Sequence, residues 1–338
     1  MRAWQLRPGF TTLEGLQFLD LPKPVPGPNE VLVRVRACSL NYRDQLIIAG
    51  KYSAGGPLDQ ALVPLSDGVG EVEAVGSAVT RYRAGDRVAS CFFQAWEAGP
   101  ANARQGAALG APPAKGMLAE YVTLPETGIV PMANSLSFEE AATLPCAGVT
   151  AWNALMAGPK PVVPGRTVLL LGTGGVSLLA LQIAKAAGAR VILTSSDDAK
   201  LARARALGAD ELINYRTTPG WGAAVAQLTG GGVDHVVEVG GAGTLGQSVA
   251  AVACAGEIAL IGVLAREGAT HPIGLMFKGA TLRGIFVGSA AMARDLNLAI
   301  DRNGIKPVVD RVFALEDAVE AYRYQATPAL FGKVVIRL

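Results

Sequence analysis

The sequence predicts an α/β chain of two domains, a β-barrel-type domain followed by a doubly wound parallel sheet. Three observations predict it. The first third carries short β-rich runs punctuated by turn residues, and the middle carries strands alternating with helices at βαβ spacing. At the first strand-to-helix junction, the apolar run Val168-Leu169-Leu170-Leu171 breaks into Gly172-Thr173-Gly174-Gly175-Val176 and resumes with helical spacing over 178–187. An all-apolar run fits a strand buried on both faces. Clustered glycines let backbone N–H groups approach phosphate, and the following helix N-terminus favours an anion. Ser177 replaces the third glycine of the G-x-G-x-x-G pattern, a small residue where close helix–strand packing needs one. Gly172, Gly174, Gly175 and Val176 are therefore read as the seat of a dinucleotide pyrophosphate.

Composition bounds the alternatives. With 338 residues, 50% hydrophobic, 17% charged and a formal net charge of +2, the chain has length for two full cores and no broad basic field for nucleic acid. No apolar run reaches the roughly 20 residues of a membrane span. Met1-Arg2-Ala3-Trp4 leads directly into strand-like sequence, so the expected location is cytoplasmic. Cys38, Cys91, Cys146 and Cys254 are widely spaced without a C-x-x-C pair, which predicts buried thiols rather than a disulfide scaffold or structural zinc cluster.

In chain order, strands are expected at 31–37, 69–75 and 87–90, separated by Pro-Gly, Ser-Asp-Gly and Ala-Gly-Asp turns. Residues 92–116, rich in Ala, Gly, Gln and Pro without periodicity, form a long loop. Phe92, Phe93 and Trp96 in it make either an apolar wall for a flat substrate or the loop's own core. A helix spans 137–156, with Glu139 and Glu140 in a first turn that suits the helix dipole. After the breaker at 159–165 come strands 167–171, 190–194, 211–214, 233–239, 257–262 and 281–287, with helices at 178–187, 199–207, 222–228 and one running through 249. A helix at 315–324 and a strand at 333–338 close the chain, and that strand can return to the first domain. The expected division is 1–125 with 290–338, and 126–289.

In dinucleotide folds an acid at the end of the second strand holds the ribose 2′-OH. Here the strand ends in Thr194-Ser195-Ser196. These hydroxyls accept a 2′-phosphate without repulsion, and Lys200 supplies positive charge one turn into the next helix. Tyr215 either covers the adenine or meets the phosphate. Alternatively Ser195 and Ser196 cap the helix and Lys200 is solvated. Their coincidence favours NADPH, while Asp197 and Asp198 keep NADH open.

The order of parts, with Ser39-Leu40-Asn41-Tyr42-Arg43-Asp44, Ala84-Gly85-Asp86-Arg87-Val88, Gly116-Met117-Leu118-Ala119-Glu120-Tyr121, Gly148-Val149-Thr150-Ala151-Trp152, Leu207-Gly208-Ala209-Asp210 and Phe331-Gly332-Lys333-Val334-Val335, resembles the medium-chain dehydrogenase/reductase superfamily over essentially the whole chain. The resemblance is closest to its zinc-independent quinone oxidoreductase branch. It implies a GroES-like catalytic barrel completed by the C-terminal segment, a Rossmann domain, a substrate cleft between them, and a homodimer built near residues 281–287. By matching positions it also implies cofactor contacts at Thr150, Gly240, Gly262, Val263, Phe286, Val287, Gly288 and Lys333. Several of these sit at carboxyl ends of parallel strands, where ligands bind in such sheets.

In metal-dependent members, the resemblance places zinc ligands at positions matching Asn41, Ser66 with Asp67, and Cys146. One thiolate and a carboxylate do not make a zinc site, so no metal is expected. Without a Lewis acid the substrate must already be electrophilic, as quinones and α,β-unsaturated carbonyl compounds are. Asn41, at the vacated metal position, and Tyr52 are the candidate hydrogen-bond donors. Tyr52 is otherwise a surface-loop aromatic, and Asn41 and Asp44 otherwise brace the loop. The expected activity is NADPH-dependent reduction of a quinone or activated alkene. The alternatives are a zinc-free alcohol, aldehyde or enoyl-thioester oxidoreductase and a non-catalytic NADPH-binding protein. No nucleic-acid or membrane partner is expected.

Overall fold

The computed structural model describes residues 1–338 apart from 53–55, 104, 263, 265–267 and 269. The chain divides into two compact units, Met1–Val149 with Gly288–Leu338, and Thr150–Val287. The first boundary falls later than the expected residue 125, because the short strand at 129–131 pairs within the first unit's sheet.

In the first unit, β1 (Arg2–Leu6) and β2 (Leu16–Asp20) form an antiparallel pair. Then follow β3 (Glu30–Ser39), the helix α1 (Tyr42–Ile48), β4 (Asp67–Val75), β5 (Arg87–Ser90), β6 (Tyr121–Pro125) and β7 (Ile129–Pro131). The expected helix at 137–156 is broken into α2 (Phe138–Ala141), a π turn (Leu144–Gly148) and α3 (Val149–Leu155). Pro145 explains the break, since it donates no backbone hydrogen bond and its ring clashes with the preceding turn.

The second unit holds β8 (Thr167–Leu171), α4 (Gly175–Ala186), β9 (Arg190–Ser195), α5 (Asp198–Ala206), β10 (Glu211–Asn214), α6 (Trp221–Thr229), β11 (Val233–Glu238), α7 (Ala242–Ala251), β12 (Val252–Leu260), α8 (Ile273–Lys278) and β13 (Thr281–Gly284). The sheet order is β10-β9-β8-β11-β12-β13, parallel throughout. This is the doubly wound order, whose topological switch point lies between β8 and β11. Val168, Leu169, Leu170, Val191, Ile192, Leu193, Val236 and Val237 are wholly buried, as strands covered on both faces require.

Two expected strands differ. β12 starts at Val252 rather than 257, because a register shift pairs Val233 with Val252 and His235 with Glu257, and Ala255 takes a positive φ within the bulge. β13 ends at Gly284, and Val287, at φ +54°, is not extended.

The chain then returns to the first unit with α9 (Ala290–Asn303), β14 (Val309–Ala314), α10 (Ala318–Gln325) and β15 (Lys333–Arg337). β15 runs antiparallel to β3 and completes the sheet β14-β15-β3-β4-β5-β7, while β6 pairs with β3. The C-terminal strand thereby joins the GroES-like unit. No helix among the described residues is long and apolar enough to cross a membrane.

Candidate active site

In the Rossmann unit, Gly172 takes φ +74° and its N–H donates to Thr194 O at 2.8 Å, which ties the glycine loop to the end of β9. A Cβ at Gly172 or Gly174 would meet nothing within 4 Å, so the space before the loop is open. Gly174 caps α4 and brings no side chain to it, which leaves the first-turn N–H groups of Gly175 and Val176 for an anion. Ser177 is buried and its hydroxyl donates to Leu171 O at 2.7 Å, so the serine locks α4 to β8. This cradle fits a dinucleotide pyrophosphate.

The end of β9 lies beside it. The cap of α5 is Asp197, whose carboxylate accepts the Lys200 N–H at 3.0 Å, and not Ser195 or Ser196. Buried Ser195 accepts the Asp197 N–H on its hydroxyl and the Tyr215 N–H on its carbonyl. The chain therefore brings Ser195, Ser196, Lys200 and Tyr215 together at one sheet edge. Tyr215 is 42% exposed. Asp198 accepts from the Asn214 amide at 2.8 Å.

At the switch point the sequence reading overlooked Glu238. Its carboxylate is fully buried and accepts the N–H groups of Gly240 (2.8 Å) and Gly241 (3.0 Å) and the hydroxyls of Thr244 (2.6 Å) and Ser248. Its carbonyl accepts from Ile261 and Gly262. Glu238 thus fixes both loops that follow β11 and β12. A legible signal existed: an acid closes an apolar strand, and Thr244 and Ser248 stand four apart on one helix face. A Cβ on Gly262 would lie 2.3 Å from Val239 C, so close approach demands glycine there. Val263 lies outside the described residues. Phe286 is exposed, Val287 O accepts the Asn153 amide at 2.7 Å, and Thr150 is buried in α3. Gly288 belongs to the first unit, ahead of α9.

In the GroES-like unit, Asn41, Asp67, Cys146 and Lys333 converge. Lys333 Nζ is buried, donates to Leu40 O and Asn41 Oδ1 at 2.6 Å each, and lies 3.7 Å from Asp67 Oδ2. Asp67 also accepts the Ser66 hydroxyl on Oδ1 at 2.7 Å and the Cys146 N–H on Oδ2 at 3.2 Å. The π turn frees that N–H from a helical partner. Burial pushes the Cys146 thiol well above its ordinary range, with the Asp67 charge adding to the effect.

Asn41 opens α1, and its N–H donates to Asp44 Oδ2 at 2.7 Å, so Asp44 does brace the loop. Burial raises the Asp44 carboxyl to about 6, against the pull of Arg43. The Arg43 guanidinium, itself buried, lies over the rings of Tyr52 and Phe92 at 4.8 Å each and donates to Leu109 O at 2.8 Å. Tyr52 is therefore packed against the α1 turn, not a free surface aromatic. Phe92, Phe93 and Trp96 are buried and pack on one another, Phe92 edge-to-face with Phe93 and Phe93 tilted against Trp96, so they form the loop's own core rather than a substrate wall.

Residues 27–134 match the alcohol dehydrogenase GroES-like domain family, and residues 175–302 match the zinc-binding dehydrogenase family. The chain is 45% identical over 338 residues to a zinc-type alcohol dehydrogenase-like protein of Schizosaccharomyces pombe, covering 98% of this chain and 96% of that one. It belongs to the medium-chain dehydrogenase/reductase superfamily. A quinone oxidoreductase of Pseudomonas aeruginosa is 32% identical, covering 96% and 95% of the two chains. The solved structure of an NAD-dependent alcohol dehydrogenase is 36% identical, with a TM-score of 0.88 and full coverage of both chains.

This superfamily binds nicotinamide cofactors and contains oxidoreductases, and the glycine cradle of this member fits such a cofactor. The zinc named in the family description does not fit the residues present. Asp67 is already engaged by three donors, the Ser39 and Ser66 hydroxyls and the Cys146 N–H, and the Lys333 ammonium stands beside it, while Asn41 and Ser66 offer only neutral oxygens. Among the described residues no group of three His, Cys, Asp or Glu could hold a metal ion.

Proposed function

We propose that this member is a zinc-independent, NADPH-dependent oxidoreductase that delivers a hydride to a quinone or an α,β-unsaturated carbonyl compound. The observation that carries the reading is the family's metal position, where a satisfied Asp67, a buried Lys333 and a neutral amide stand in place of ligands. A substrate reduced there must delocalise the arriving charge through its own conjugation. When bound, the nicotinamide supplies the hydride. Asn41 Nδ2, buried and without an acceptor among the described residues, donates to the acceptor's carbonyl oxygen as it becomes an enolate or quinolate. In this reading Tyr52 relays the proton, and its packing beneath the Arg43 guanidinium supports the role by holding the ring.

NADPH is preferred over NADH in this reading because Ser195 and Ser196 are released from capping by Asp197, and Lys200 stands one turn further on. The relatives' names favour a second reading, an alcohol or aldehyde oxidoreductase. We also propose that the chain pairs with a second copy along the free edge of β13.

The test is steady-state oxidation of NADPH and of NADH with 1,2-naphthoquinone, an enone and an aldehyde, with and without chelator, for wild type and Lys200→Ala. Turnover of the quinone or enone, insensitive to chelator, is expected. Lys200→Ala should weaken NADPH on the order of tenfold more than NADH, as loss of a charge-assisted phosphate contact does. Chelator-sensitive aldehyde turnover would overturn the zinc-free reading. Cofactor binding without turnover of any acceptor would make the chain a binding protein.

A further inference from the structure

Where metal-dependent relatives are expected to hold a dication, this chain buries an ammonium. Lys333 reaches that place from β15, and its position is fixed from three sides: Leu40 O, Asn41 Oδ1 and the Asp67 carboxylate. Asp67 is fixed in turn by the Ser66 hydroxyl and the Cys146 N–H, so the cation has no slack to move into.

The consequence falls on Asn41. A primary amide has an accepting end and a donating end, and a half-turn about the Cβ–Cγ bond exchanges them. An ammonium carries only donors, so beside Lys333 the oxygen must face inward and Nδ2 must face away. The Asn41 backbone N–H is separately held by Asp44, which fixes the residue at its other end. What is left over is one buried N–H₂ group with no acceptor among the described residues. A buried donor left unpaired is costly, which marks it as waiting for an acceptor supplied by a ligand. A cation at the amide oxygen also draws electron density from the nitrogen and makes its N–H a stronger donor.

We propose that Lys333 is the positioning residue for Asn41, a built-in cation that orients and polarises the amide so that Nδ2 meets the carbonyl oxygen of the acceptor. Lys333 then acts through Asn41 and not as a cofactor ligand, the role its sequence position implied. This inference rests on the reductase reading for its ligand, but the coupling between the two side chains belongs to the unliganded protein and is tested separately.

Two measurements decide it. The first is a urea-denaturation cycle of Lys333→Met, Asn41→Ala and the double variant in the absence of cofactor. The two losses should be strongly non-additive, and additive losses would show that the pair does not interact. The second is kinetic, on whichever acceptor the wild type reduces. Asn41→Asp keeps an oxygen for Lys333 while removing the donor, so it should stay folded yet lose on the order of tenfold or more in kcat. Lys333→Met should lower kcat about as much, with NADPH affinity within about twofold of wild type, and the double variant should be no slower than Asn41→Ala alone. Lys333→Arg should restore part of the loss, because a guanidinium also carries only donors. Wild-type kcat in Asn41→Asp would overturn the donor role. Weakened NADPH binding at unchanged kcat in Lys333→Met would make Lys333 a cofactor ligand instead. Should the wild type reduce no acceptor, the functional reading fails while the denaturation cycle still decides the coupling.

Discussion

Asp44 is completely buried at the start of α1, with one oxygen on the Asn41 N–H and the other 3.7 Å from Arg43. Its carboxyl is raised from 3.8 to about 6 in the folded protein, so between those values the folded state binds more protons than the unfolded one. Stability from this group is therefore lost as pH rises through that window, by about 3 kcal/mol at the full shift. Asp44→Asn keeps an oxygen for the Asn41 N–H and carries no charge to bury. Relative to wild type, it should gain stability as pH rises from 4.5 to 7, read from thermal denaturation at each pH. A difference that stays flat across that range would contradict the raised carboxyl. Asn41 was legible from the string around it, but its partner Lys333 lies 292 positions away in the chain, and no local pattern encodes that contact.

At the scale of elements, the β11–α7 loop owes its shape to the Glu238 carboxylate, while the loop after β12 is held by the Glu238 main-chain carbonyl. Replacing Glu238 by Ala strands two backbone N–H groups and two hydroxyls in a buried place, at a cost on the order of 3–5 kcal/mol. Glu238→Gln retains an acceptor for the glycine N–H groups and should cost clearly less. Urea denaturation is expected to show a large fall in midpoint for Ala at unchanged m, together with weakened cofactor binding. An unchanged midpoint for Glu238→Ala would remove the staple from the account. The Rossmann strands were readable because burial on both faces makes continuous apolar runs. The helix α9 escaped the sequence reading. Its buried stripe of Ala290, Ala293, Leu296, Asn297 and Ile300 includes small and polar residues, so the apolar period is thin despite Ser289 and Gly304 at its ends. The break at Pro145 was locally signalled. What the break accomplishes, a backbone donor delivered to Asp67, needed the strand carrying Asp67 to be placed beside it.

For the whole molecule, the proposed pairing rests on a sheet edge. Among the described residues β13 is bonded only to β12, and Leu282 on it is exposed together with Ile273, Met276 and Phe277 of α8, the last 76% accessible. An open edge beside an apolar helix face invites a second copy. Leu282→Lys with Phe277→Glu should convert a dimer to a monomer in size-exclusion chromatography with light scattering, while leaving the unit folded by circular dichroism. A wild type that is monomeric at tens of micromolar, or a double variant that stays dimeric, would rule out this edge.

By itself the sequence determined the two-domain α/β class, the chain order of the parallel-sheet elements, and the glycine loop with Ser177 in it. These are properties of neighbouring residues, and neighbouring residues carry their own periodicity and chemistry. Only the tertiary structure decided that Asp197 and not the serines caps α5, that Phe92, Phe93 and Trp96 face their own loop, that Glu238 staples the switch point, and that Lys333 lies between Asp67 and Asn41. Each of these turns on which of several possible partners a polar or aromatic group meets, and that choice is made by strands and loops brought together from distant parts of the chain.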